Sequence, residues 1–105
     1  MGIATEIVTF KTVKGVKRDV FMNIVDELEK EFHAKEPGFI DTELLYHEKN
    51  GEWIMIQHWD SMENMKQASA DMFRNPVTEA FVQSLDPKTV TMQRFMQLGT
   101  WKKGI

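Results

Sequence analysis

The sequence contains no cysteine, and this absence removes several kinds of chemistry at once. Without thiols the chain can form no disulfide, no thiolate metal site and no cysteine nucleophile. No apolar run approaches the ~20 residues that a membrane-spanning helix needs. The opening MGIATEIVTFKTVKG alternates polar and apolar residues, unlike the apolar core of a signal peptide. We therefore expect a cytoplasmic protein with no membrane partner.

The sequence also lacks a basic cluster. Its 13 Lys and Arg are spread along the chain and are outnumbered by 16 Asp and Glu, which gives a formal charge of −3. A nucleic-acid-binding protein usually carries a basic stripe, so no nucleic-acid partner is expected. With 105 residues, 42 % of them hydrophobic and 28 % charged, the chain has the composition of a single globular domain spanning residues 1–105.

The strongest local signal present is a hairpin between Gly38 and Asp60, GFIDTELLYHEKNGEWIMIQHWD. Asn50-Gly51 separates two apolar runs there, and this dipeptide is the best short-range indicator of a hairpin turn. The same segment holds two of the three histidines and two of the three tryptophans. We expect any functional site to border this hairpin.

Patterns on either side of the hairpin alternate between strand and helix. Residues 5–13 are rich in β-branched and aromatic residues, which predicts a strand. Residues 17–35 carry apolar residues three and four apart, which predicts a helix. Asp60-Ser61 is a helix cap, Asn75-Pro76 breaks and restarts that second helix, and residues 89–101 predict a last strand. The order β-α-β-β-α-β predicts an α+β, ferredoxin-like split βαβ fold with an antiparallel four-stranded sheet.

Alternation along the hairpin divides it into two faces. A two-residue turn at Asn50-Gly51 would pair Lys49 with Glu52, and the same register places Glu43 opposite His58. One face, expected to contact the helices, carries Ile40, Leu44, Tyr46, Trp53, Met55 and Trp59. The other face carries Phe39, Glu43, Leu45, His47, Ile54, Ile56 and His58.

The second face still offers four large apolar side chains. Burying each is worth roughly 1.5–3 kcal/mol, so leaving all four wet would forgo about 6–12 kcal/mol. That is comparable with the ~5–15 kcal/mol stability of a whole domain. We therefore predict a homodimer in which two sheets pack face to face. A monomer whose loops or C-terminal segment cover this face is the alternative.

Specific residues in and beside the hairpin resemble a known family. Residues 36–39, EPGF, precede a strand and a short turn; residues 53–59 then run from tryptophan to tryptophan, and Asp60-Ser61 opens a helix. This arrangement resembles the antibiotic biosynthesis monooxygenase family over residues 5–98. The resemblance implies a dimeric α+β barrel in which each protomer keeps a pocket between its sheet and helices. Its branches include cofactor-independent quinol or anthrone monooxygenases and haem-degrading enzymes.

The sequence departs from the haem-degrading branch at two places. Many members carry a histidine on the second helix, soon after the strand-ending tryptophan; nine residues after Trp59 this chain has Ala68, and no histidine follows His58. The haem-degrading branch would also need an asparagine on the first strand, where EIVTFKTV has none. We predict a cofactor-independent monooxygenase acting on a small aromatic or quinol-type substrate, with no cofactor and no metal. The alternative is a non-catalytic dimer that binds a small ligand or serves as an accessory protein.

Cofactor-free oxidation needs a base, a water-excluding pocket and a donor for developing negative charge. His58 is the predicted base because imidazole titrates near neutral pH, and Glu43 is predicted to fix its tautomer. A charge-assisted pair at the edge of the dimer contact is the structural alternative for these two residues.

The predicted substrate-binding residues are Tyr46, Trp53 and Trp59, with Met65 as part of a soft, adaptable lining. Aromatic residues on a buried strand face more often belong to the core. His58 and Trp59 are neighbours on one strand and point to opposite faces, so one small pocket is not expected to use both directly. For His33, in the last turn of the first helix, only a favourable interaction with the helix dipole is predicted.

Overall fold

The computed structural model describes residues 2–104. Within this range the α-helices and strands follow one another as the sequence predicts, with the second helix broken in two. The elements are β1 (Ala4–Phe10), α1 (Arg18–Glu31), β2 (Phe39–Tyr46), β3 (Trp53–Trp59), α2 (Met62–Met72), α3 (Glu79–Ser84) and β4 (Thr91–Met96). Short 3₁₀ turns cover His33–Lys35, Pro76–Thr78 and Pro87–Thr89.

The four strands form one antiparallel sheet in the order β2-β3-β1-β4. This order, with helical crossovers after β1 and β3, is the ferredoxin-like arrangement. The predicted fold class is confirmed. No helix within residues 2–104 combines the length and apolar character needed to cross a membrane.

Helix α1 packs through the apolar face that its sequence predicts. Phe21, Val25 and Leu28 are buried along it, and Phe32 is buried just beyond its end. The α-helix stops at Glu31, earlier than predicted, because the chain tightens there into a 3₁₀ turn. His33, the first residue of this turn, is buried and belongs to the site described below.

The core lies between one face of the sheet and the helices. Phe10, Phe21 and Phe81 contact one another with ring centroids 5.8–6.0 Å apart, in the 4.5–7 Å range typical of aromatic pairs. Trp53 joins them, 4.8 Å from Phe21. A second buried cluster surrounds Trp59 and contains Ala4, Met65 and Ala68, with Phe39 and Met62 packed against it.

The register of the β2–β3 hairpin differs from the prediction by two residues. Tyr46 pairs with Trp53, and the next pair is closed by the His47 amide, which donates to the Glu52 carbonyl at 2.8 Å. The loop therefore spans four residues, 48–51. The His47 ring provides the reason: its Nδ1 accepts from the amides of Lys49 and Asn50 at 3.3 and 3.2 Å, which stabilises a wider turn.

This register corrects one predicted pair while preserving the two faces. A shift of two residues leaves every side chain on its own side of the sheet. Glu43, however, lies opposite Ile56, and His58 lies opposite Asp41. The prediction that Glu43 faces His58 is therefore wrong.

A β-bulge at the start of β2 exchanges two side chains between the faces. Phe39 pairs with Trp59 and Asp41 with His58, so Ile40 has no partner on β3. An extra residue in one strand shifts the alternation on one side of it. As a result Phe39 packs on Trp59 beneath the helices, whereas Ile40 is 45 % exposed. The predicted faces of these two residues are reversed.

Gly38 precedes the bulge and lies in close contact with the side chains of Asp60 and Asn64. Its φ is +81°, and a Cβ placed there would lie 2.3 Å from Asp60 Oδ1 and 2.6 Å from Asn64 Nδ2. We expect Gly38→Ala to lower the free energy of unfolding by about 2–5 kcal/mol, combining backbone strain with a displaced contact. Urea denaturation measures the change.

Gly15→Ala is the matched control, because Gly15 also has a positive φ, +96°, but nothing lies within 4 Å of its would-be Cβ. We expect this variant to show only the backbone cost, about 1–2 kcal/mol. Equal losses in the two variants would contradict the close packing described for Gly38.

Candidate functional site

A cavity of about 630 Å³ lies between the helix-facing side of the sheet and helices α2 and α3. This volume falls within the ~300–1,000 Å³ typical of small-molecule sites. Its wall is mostly apolar, with few polar groups. Strand residues in the wall include Val8, Met55, Trp59 and Met92, and helical ones include Ala68, Met72, Phe81 and Val82.

The cavity lies where the second helix is broken. Helix α2 starts at a proper cap, with Ser61 Oγ accepting from the Asn64 amide at 3.1 Å. The chain restarts at Asn75, whose side chain accepts from the Val77 amide at 3.0 Å, with proline at the first position of the new turn. The Thr78 hydroxyl fixes the break by donating to the carbonyls of Asn75 and Met72. Because no continuous helix covers the sheet here, a cavity remains beside the strand side chains.

Glu6 is the buried carboxylate of the cavity wall. It is 6 % exposed and sits on β1 facing the helices. Its Oε2 accepts from Ser69 Oγ at 3.2 Å and from Arg94 Nε at 3.1 Å. A buried carboxylate is tolerated when it is paired and hydrogen-bonded, and both conditions are met by neighbours on α2 and β4. Glu6 therefore forms an ion pair with Arg94.

His33 is the buried imidazole of the cavity wall. It is 2 % exposed, and its Nδ1 lies 2.5 Å from Glu29 Oε2, one turn earlier in the chain. The imidazole is enclosed by the rings of Phe32, Phe39 and Trp59, with centroids 5.0, 5.7 and 6.0 Å away. The site thus contains a histidine oriented by a carboxylate within an aromatic shell.

The helical pattern predicts for His33 only a favourable interaction with the helix dipole, and this misses its place in the site. Two sequence features pointed to it. His33 follows Glu29 at i,i+4, the spacing at which helical side chains meet, and it directly follows the buried Phe32. His33 begins the 3₁₀ turn that follows α1, and its side chain is buried there.

Gln57 completes the polar part of the wall. It is 4 % exposed on β3, and its Nε2 donates to Thr42 Oγ1 at 3.0 Å. The same nitrogen lies 3.1 Å from Nδ1 and 3.3 Å from Nε2 of His33. A donor almost equidistant from both ring nitrogens cannot lie along the lone pair of either one. Gln57 therefore packs against the imidazole without capping it.

Trp59 is the predicted substrate-binding residue that lines this cavity. Its indole Nε1 is buried and has no hydrogen-bond partner among residues 2–104. Leaving a buried donor unpaired costs about 1–3 kcal/mol. An acceptor on a ligand that reached this nitrogen would recover part of that cost.

The other predicted site residues lie elsewhere. Met65 is fully buried beside Trp59, in the cluster behind the cavity wall. Tyr46 and Trp53 contact each other at the opposite end of β3, with ring centroids 4.5 Å apart and planes tilted by 51°, and Arg18 lies over the Tyr46 ring.

The predicted catalytic pair is on the opposite side of the sheet from the cavity. His58 Nδ1 lies 2.6 Å from Asp41 Oδ1, and neither His58 nor Glu43 contributes to the cavity wall. A catalytic role for His58 and Glu43 stays a prediction, without support from the geometry of the cavity. The structure brings together Trp59, Glu6, Gln57 and His33 instead.

Comparison with known proteins agrees with this architecture. A family model described as antibiotic biosynthesis monooxygenase matches residues 4–74. The chain belongs to this family. The resemblance seen in residues 36–39 and in the hairpin is thereby confirmed. Membership supports a monooxygenase-type function at the level of the family, whose proteins are generally dimeric.

Solved structures share the fold at low sequence identity. Rv0793 from Mycobacterium tuberculosis superposes with a TM-score of 0.70 at 14 % identity, covering 95 % of this chain and 99 % of that one. SnoaB, a cofactor-independent oxygenase from Streptomyces nogalater, gives 0.64 at 16 % identity and covers 100 % of both chains. A conserved protein from Methanosarcina mazei Go1 gives 0.67 at 21 %, covering 90 % and 92 %. No curated protein matches the chain in sequence.

A carboxyl group near His33 makes stability depend on pH. Burial raises the pKa of Glu36 above its ordinary value of 4.5, and the neighbouring Asp71 carboxylate raises the pKa further. The folded protein therefore holds this proton more tightly than the unfolded chain does. Stability from this group is complete below pH 4.5 and is lost as the pH rises through the raised value.

We expect Glu36→Gln to be more stable than the wild type near neutral pH, because the neutral amide escapes the cost of ionising in this position. The advantage should disappear below about pH 4.5, where both side chains are neutral. Urea denaturation at a series of pH values measures it. Glu27→Gln, an exposed change on α1, is the control. A Glu36→Gln curve that stays parallel to the wild-type curve over the whole range would contradict the prediction.

Proposed function

We propose that the protein is a cofactor-independent monooxygenase that oxidises a small phenol, quinol or anthrone held in the cavity between the sheet and helices α2 and α3. The observation that carries this proposal is the cavity itself: about 630 Å³, mostly apolar, with a buried imidazole in its wall. The likeness of the fold to SnoaB, itself a cofactor-independent oxygenase, supports the same class of reaction.

The reaction needs dioxygen and an ionisable substrate. A base removes the phenolic or anthrone proton, and the resulting anion gives one electron to dioxygen. The substrate radical and superoxide then combine to a peroxide. At a CH₂ centre the peroxide loses water and leaves a ketone, so one oxygen atom enters the product and the other becomes water. The substrate supplies all of the electrons.

The residues of the cavity suit these steps. An apolar wall excludes water and strengthens electrostatic interactions with the bound anion. The indole N–H of Trp59 is a donor without a partner among the described residues, and it could stabilise negative charge on a substrate oxygen within its reach. Gln57 adds a side-chain amide to the same wall.

A non-catalytic binding role is the second candidate, and one observation favours it. Glu6, the buried carboxylate of the cavity wall, is already paired with Arg94 and accepts a hydrogen bond from the Ser69 hydroxyl. A site built only to hold a flat apolar ligand would need no free base. Oxygen consumption separates the two functions.

We expect a panel of anthrones and quinols to include a substrate whose addition causes oxygen uptake by the protein. Ala68→Leu should lower kcat/KM for it about tenfold or more, because a larger side chain on α2 enters the cavity. An oxygen electrode measures the rate.

Ala70→Leu is the matched control, since Ala70 lies two residues further along α2 and is exposed. We expect it to match the wild type. Absence of oxygen uptake with every member of a broad panel would reject the monooxygenase and leave the binding role.

We also propose that the protein is a homodimer formed through the sheet face away from the helices. Ile7, Ile54 and Ile56 are half-buried on this face, and Leu45 and Phe95 are 40 % and 45 % exposed. An apolar surface spread over all four strands is typical of an interface. The general dimerisation of the family supports this arrangement.

We expect Ile56→Lys to reduce the mass in solution from twice the chain mass of 12.3 kDa to the single-chain value. Ile56 lies on an inner strand between Ile7 and Glu43, so a charge there would be buried in the interface. Light scattering measures the mass. Met22→Lys, an exposed change on α1, should leave the dimer intact. A wild-type protein of 12.3 kDa would contradict the proposal.

A further inference from the structure

We propose that His33, oriented by Glu29, accepts the proton of the ligand, so that the cavity binds phenols as phenolates with protonated His33 as the counter-charge. The inference deepens the proposed function and rests on it for the oxidation that follows. In the ionisation step the phenol O–H bond breaks and an N–H bond forms on His33. The electron pair stays on the phenolate oxygen, so this step needs no oxidant.

The contact with Glu29 assigns the roles of the two ring nitrogens. Glu29 Oε2 lies 2.5 Å from Nδ1, so the carboxylate and the imidazole are in direct hydrogen-bonding contact. An ionised carboxylate can only accept, so the proton lies on Nδ1 and the lone pair on Nε2. A carboxylate bound to Nδ1 also stabilises the imidazolium that forms when Nε2 takes a proton. The pair has the parts of a general base and its orienting group.

The surroundings of His33 suit a positive charge on the imidazole, which in this proposal forms when the bound phenol becomes a phenolate. The ring of Phe39 stacks on the imidazole, with centroids 5.7 Å apart and planes 20° apart. This lies within the ~6 Å over which an aromatic face attracts a cation. Gln57 contacts the ring without capping Nε2, as its two distances of 3.1 and 3.3 Å require. The remaining lone pair is therefore not committed to a strong partner within the described residues.

Charged groups approach His33 from several elements of the fold. Glu29 contacts it from α1, and Glu36, on the turn that follows, interacts with it electrostatically. Asp71 on α2 is hydrogen-bonded to Glu36. Glu6 lies in the same cavity wall and is balanced by Arg94 on β4. Carboxyl groups outnumber the one cation, so a positive charge on the imidazole is well matched.

The structural alternative is a buried histidine that only packs. A packing role predicts that changing Glu29 would alter stability but not the ionisation of a bound ligand. The proton-acceptor role predicts a change in ionisation even where folding is intact. A ligand whose two forms differ in colour distinguishes these outcomes.

The probe is 4-nitrophenol, whose phenol and phenolate absorb at different wavelengths, added to the full-length protein. About one pH unit below the pKa of the free compound, only roughly a tenth of it is ionised in solution. We expect the bound compound to show mainly the phenolate band in the wild type. Quenching of tryptophan fluorescence reports binding independently of ionisation.

We expect His33→Gln to bind the compound without the phenolate band. Glu29→Gln, which keeps the side-chain shape, should raise the apparent pKa of the bound phenol by about one unit or more, a tenfold loss of phenolate. His47→Gln and Glu27→Gln are the matched controls, since both residues are exposed and neither lines the cavity. We expect both to keep the wild-type band.

The proposal is overturned if the wild type shows no phenolate band, or if His33→Gln retains the full band. Should His33→Gln fail to fold, an unchanged phenolate fraction in Glu29→Gln overturns it equally. Oxygen uptake distinguishes this inference from the function on which it rests. Phenolate formation without oxygen uptake on any substrate supports His33 and rejects the monooxygenase. Oxygen uptake that is unchanged in His33→Gln rejects His33 and keeps the monooxygenase.

Discussion

The strict alternation of β3 is the constraint on which the rest of the structure depends. Trp53, Met55, Gln57 and Trp59 are all buried towards the helices, while the residues between them face the other side. β3 is an inner strand, hydrogen-bonded to β2 on one side and to β1 on the other, so its side chains project from both faces in the middle of the sheet. One face is covered by helices, and the other carries the proposed dimer contact. The core, the cavity and the proposed dimer contact are three consequences of the same strand.

The cavity exists because the helical layer is incomplete. A continuous helix in place of α2 and α3 would cover Met55, Gln57 and Trp59 fully and leave no room for a ligand. The break at Asn75-Pro76 is encoded locally, by a side-chain cap and a proline, and it is stabilised by the Thr78 hydroxyl. Site and fold are thus separable: the alternation of the strands sets the fold, and a short polar motif between two helices opens the site.

Features of the fold that depend on side-chain period could be predicted from the sequence, and features that depend on loop length or on an inserted residue could not. The order of elements and the apolar face of α1 follow from periods of two and 3.6 residues. The β2–β3 register depends on loop length, which the His47 side chain widens. The bulge at Ile40 likewise reverses two faces without any change in composition. For the site, Trp59 was predictable as an aromatic residue on the helix-facing side. The ring contact between Phe39 and His33 was not, because the bulge places Phe39 on that side.

The two buried polar pairs of the cavity differ in what they leave available. Glu6 is bound on one oxygen by both Ser69 and Arg94, so its charge is neutralised before any ligand arrives. Glu29 binds Nδ1 of His33, and Nε2 is left for a ligand. A proton gained on Nε2 would make the imidazole positive and so strengthen its contact with the Glu29 carboxylate. The proposed proton acceptor therefore lies at the end of α1 rather than on β1. The hairpin that holds most of the histidines and tryptophans acts chiefly as the wall against which that histidine is placed.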